Sequence, residues 1–171
     1  MGEPALEVRY QAVAKEVLSG LNDKDAARAL DSIKVLVDSW YHEAGSINPD
    51  TLFRIGLSDL KEALGNLTGE TLVRKLDALA LERTVETLSS RAFRLAQGVI
   101  DETTSAQSVR GDASAIAQEI DMLLPRVKQL DDVALRERLL RELGDADLEC
   151  RYIQNGDATM MSIRLNQYSD R

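Results

Sequence analysis

Apolar residues recur at spacings of three and four along most of this chain, and only three prolines interrupt them. That spacing matches the 3.6-residue turn of an α-helix and conflicts with the two-residue repeat of a strand. The rhythm therefore predicts an all-α fold, a bundle of about six or seven helices.

The individual stripes locate the helices. Leu6, Tyr10, Val13 and Val17 mark the first, from Pro4 to about Ser19. Pro is harmless in a first turn because the missing N–H has no intrahelical acceptor there. Asn22 is placed to cap a second helix, with Asp23 and Asp25 set against its positive end and Gly45 at its close. The run Asn48-Pro49-Asp50 signals a third start. Gly56 followed by Ser58-Asp59 predicts two short helices here, about 49–56 and 58–65.

Thr68 opens the longest expected element, one long central helix over about 69–104. Leu72, Leu76 and Leu79 begin its stripe, and Leu81, Val85, Leu88, Ala92, Leu95 and Val99 continue it after a two-residue slip in phase. The second run, over 81–99, has a heptad-like spacing but covers too few heptads to define a coiled coil. Packing by neighbouring helices is the main expectation, and a homo-oligomer formed through this seam is the alternative. A turn is expected over 103–111, with a restart at Asp112. Pro125 is expected to kink or split the helix that follows. Asp131-Asp132 opens another helix, closed by Gly144. Leu36, Leu76, Leu88, Leu95, Ile120, Leu139 and Leu140 are the expected core.

The end of the sequence changes character. Asn155-Gly156 suits a tight hairpin turn, and Met161, Ile163 and Leu165 alternate with polar residues after it. The chain therefore reads as a single helical domain over 1–171, with 149–168 either a β-hairpin or a short helical appendage. Tyr152, Ile153, Met160, Met161, Ile163, Leu165 and Tyr168 crowd this stretch without an obvious helical face. Met adapts to varied surfaces, and Tyr joins an apolar body to a polar tip, so these seven are the expected partner contacts.

Composition bears on function mostly by removing options. The net charge of −8 opposes binding to phosphate backbones or anionic membranes and suits a basic protein partner. The single Cys150 allows no internal disulfide and points to a reducing, cytoplasmic setting. The opening Met1-Gly2-Glu3-Pro4 lacks an apolar signal core, and no apolar run approaches the length of a membrane span.

Catalytic chemistry finds few residues to use. One histidine, His42, and one cysteine cannot close a zinc site. Asp145, Asp147 and Glu149 resemble the start of a calcium loop, but Cys150 stands where that loop needs Gly. The Gly65-to-Gly69 turn precedes a helix as phosphate loops do, yet carries no Lys.

No catalytic residue, cofactor site or metal site is therefore assigned. The leading expectation is a non-enzymatic interaction protein: an adaptor, a chaperone-like or inhibitory binding partner, or a structural subunit. One rival is a metal-dependent enzyme using Asp145, Asp147 and Glu149. Another is a winged helix–turn–helix over 135–165 with the Asn155-Gly156 hairpin as its wing.

Overall fold

The computed structural model describes residues 3–42 and 48–155, and among these it is all-α, six helices with no strand. They are α1 (Glu3–Val17), α2 (Asp23–His42), α3 (Pro49–Leu64), α4 (Gly69–Ile100), α5 (Ala106–Lys128) and α6 (Val133–Asn155). The chain divides into two compact units, Met1–Arg83 and Thr84–Arg171.

Local capping explains several of the boundaries. The Asn22 side chain accepts from the Asp25 backbone N–H at 2.8 Å and donates to the Asp25 carboxylate at 3.0 Å. Asn48 does the same work for α3, accepting from Asp50 N–H at 2.8 Å, with Pro49 preset for the first turn. Gly65 closes α3 at φ 54° and returns its N–H to the Lys61 carbonyl at 3.0 Å. That left-handed conformation strains any residue with a Cβ. Ser105 caps α5 through the Ser108 N–H at 3.1 Å, and Asp132 caps α6 through Leu135 N–H at 3.1 Å.

In the first unit, α1 packs on α2 and α2 on α3. Val13, Ile33, Val37, Val73 and Leu76 lie at its centre with no more than 1% exposure. Arg28 reaches Glu70 at 3.1 Å and Ser32 reaches Asp77 at 2.7 Å, which ties α2 to the start of α4. In the second unit α5 packs on α6. Ile116 and Ile120 from α5 and Leu139, Leu143 and Ile153 from α6 are buried, as are Val85, Leu88, Ala92 and Ala96 from α4. Arg91–Glu119 at 3.1 Å links α4 to α5, and Arg138–Glu86 at 3.5 Å links α4 to α6. Arg138 also pairs with Glu142 along its own helix at 3.7 Å.

Several expectations need correction. The third helix is continuous from Pro49 to Leu64, because Gly56 is a packing position and not a break. Helix α5 starts at Ala106, since Ser105 supplies its cap, and Gly111 lies inside it. Pro125 does not split α5. It sits exposed one turn from the end, where the helix is about to stop in any case. Gly144 does not end α6, which runs on to Asn155. Gly144 faces open space, so it brings only the propensity cost of about 1 kcal/mol that a well-packed helix absorbs.

That continuity bears on two further readings. The residues that would form the first strand of a hairpin over 149–168 are helical through Asn155, so the hairpin is not supported, and 156–171 lie outside the described residues. Residues 133–155 form one continuous helix, and 156–165 of the winged helix–turn–helix reading lie outside the described residues.

A central helix over 69–104 is not supported either. Helix α4 stops at Ile100, and its residues belong partly to one unit and partly to the other. Its phase slip falls close to that boundary. Leu72, Val73 and Leu76 join the first core, whereas Val85, Leu88 and Ala92 are buried in the second. The heptad-like seam is therefore consumed inside the chain for most of its length. Leu36, Leu76, Leu88, Ile120 and Leu139 are buried as expected, but Leu95 and Leu140 are partly exposed.

Candidate interaction surface

Seven aromatic side chains occur in the sequence, and four of them, Tyr10, Trp40, Tyr41 and Phe53, fall in the first unit. Amphipathic packing on α1, α2 and α3 gathers three of these beside a cation. The Arg9 guanidinium of α1 lies 5.0 Å above the Phe53 ring of α3 and pairs with the Asp50 carboxylate. Phe53 meets the Trp40 indole of α2 in an edge arrangement, centroids 6.1 Å apart and planes at 71°. Such edge contacts put the positive rim of one ring on the negative face of another.

Gly56 completes the arrangement. A Cβ at this position would lie 2.3 Å from Trp40 Cδ2 and 2.8 Å from Cγ. The indole thus rests directly on the backbone of α3, and only glycine leaves room for it.

One residue from Arg9, the Tyr10 hydroxyl donates to the Asp38 carboxylate of α2, while Lys34 Nζ stands 6.0 Å over the Tyr10 ring. Burial, then the hydrogen bond and charge of Asp38, and last the charge of Glu7, hold the Tyr10 phenol above its usual pKa. It is a neutral donor at physiological pH. Lys61 of α3 pairs with Glu16 of α1.

Trp40, Phe53 and Tyr10 are all half-buried. Arg9 retains 22% exposure and Asp50 61%. The result is a surface of half-buried aromatic rings braced by one another and by the Arg9–Asp50 ion pair. Arg, Trp and Tyr are the side chains most enriched where proteins bind one another.

The other singled-out residues are placed differently. His42 is the exposed last residue of α2, beside Tyr41. Cys150 is fully buried, and its thiol is pushed up to about 12 by burial first and then by the charges of Asp147 and Glu149. A nucleophilic cysteine needs the opposite shift.

Asp145, Asp147 and Glu149 lie in the middle of α6 and not in a loop. Asp147 pairs with Arg151 at 3.0 Å, and Glu149 is 1% exposed. Among the described residues no three His, Cys, Asp or Glu side chains gather as a metal site.

Of the expected partner contacts, Ile153 is fully buried in α6 and Tyr152 is half-buried. Met160, Met161, Ile163, Leu165 and Tyr168 lie outside the described residues. Among the described residues no helix is long and apolar enough to cross a membrane.

Arg9, Phe53 and Gly56 are the residues that sequence reasoning passed over as a group. The chain matches no known family model, no curated protein and no solved structure.

Proposed function

We propose that this chain is a non-catalytic protein that binds another protein, as an adaptor, a chaperone-like or inhibitory partner, or a structural subunit. The contact surface we assign is the Arg9–Trp40–Phe53 face of the first unit. The observation that carries the reading is the half-exposed aromatic and cationic cluster itself, seated on Gly56 and braced by the Asp50 ion pair. A rigid anchor loses little conformational freedom on binding, so more of its contact energy reaches affinity. The overall charge of −8 favours a partner with a basic surface through long-range attraction. The lone buried thiol suits a cytoplasmic setting. The residues after Asn155 remain a second proposed contact region on sequence grounds, and pairing of two copies remains open to the same assay.

The test is affinity purification of the tagged wild type and of Arg9→Ala from the native host. A protein retained by the wild type and depleted with the variant, while the Trp40 emission of the variant is unchanged, supports the reading. Equal recovery with both, or saturable one-to-one binding of a divalent ion that Asp147→Asn abolishes, overturns it. The second outcome would favour the metal-dependent enzyme.

A further inference from the structure

No further inference is drawn: the strongest candidate outside the surface already described, the exposed apolar side chains Met122 and Val133 toward the α5–α6 turn of the second unit, 74% and 52% exposed, carries nothing because nothing in the structure shows what covers them.

Discussion

Substituting Gly56 by Ala sets two known effects against each other. In an exposed helix the change would stabilise by about 1 kcal/mol, since alanine loses less backbone freedom than glycine. Here the new methyl would stand 2.3, 2.5 and 2.8 Å from three ring carbons of Trp40. Unstrained carbon contacts lie at about 3.5–4.0 Å, so the overlap is on the order of 1 Å. The indole has no easy retreat, because Phe53 meets it edge-on and the first core lies behind it. Overpacking of this kind costs about 1–3 kcal/mol. Steric cost should therefore outweigh propensity, leaving a net loss of up to about 2 kcal/mol. For a chain of this size each kcal/mol lowers Tm by about 2–4 °C. Trp40 is the only tryptophan, so its emission reports the site directly, and it should shift to longer wavelength as the ring is displaced. In a Trp40→Leu background the same Gly56→Ala change should become neutral or stabilising, because its obstacle is gone. A Gly56→Ala protein with a raised Tm and unaltered emission would refute the packing argument.

Other expected outcomes are independent of that site. Leu88→Ala should destabilise by about 2–5 kcal/mol, because Leu88 is 2% exposed, and the half-exposed Leu95→Ala should cost distinctly less; urea titration separates the two. Glu102 holds φ at 60°, a left-handed conformation that disfavours a side chain, so Glu102→Gly should stabilise by about 1 kcal/mol and raise Tm. Cys150 should react with thiol reagents near neutral pH only after denaturant is added. Its folded value of about 12 lies above the ordinary 9.0, so between those values the unfolded chain has lost a proton that the folded chain keeps. Stability from this group is therefore intact below pH 9 and falls as pH rises toward 12, and Cys150→Ala should flatten that part of the stability profile.

The helical class and the caps were legible because they rest on local chemistry. Asn22, Asn48 and Asp132 each satisfy backbone N–H groups within three residues, and no distant contact is needed to recognise them. Gly56 was misleading for the opposite reason. Its local propensity argues for a break, but its role comes from Trp40 on another helix, which sequence spacing does not reveal. Gly144 misled through propensity as well, since packing of α5 on α6 outweighs a weak position in α6. The phase slip between Leu79 and Leu81 was visible, and the structure supplies its context: α4 contributes to two cores in turn. The Arg9–Phe53 cluster was the least legible feature. It unites residues more than forty positions apart, and ion pairing and ring geometry leave no periodic trace.

The central claim is that the aromatic face of the first unit is where a partner sits. Site-specific photo-cross-linking in the native host tests it most directly. A photoreactive side chain replaces the exposed Arg54, adjacent to Phe53 on α3, and in a separate protein replaces the exposed Gln118 on α5. The account predicts a discrete adduct from position 54 that Arg9→Ala diminishes, and none from position 118. An adduct from position 118 alone, or equal adducts from both that ignore Arg9→Ala, would contradict it.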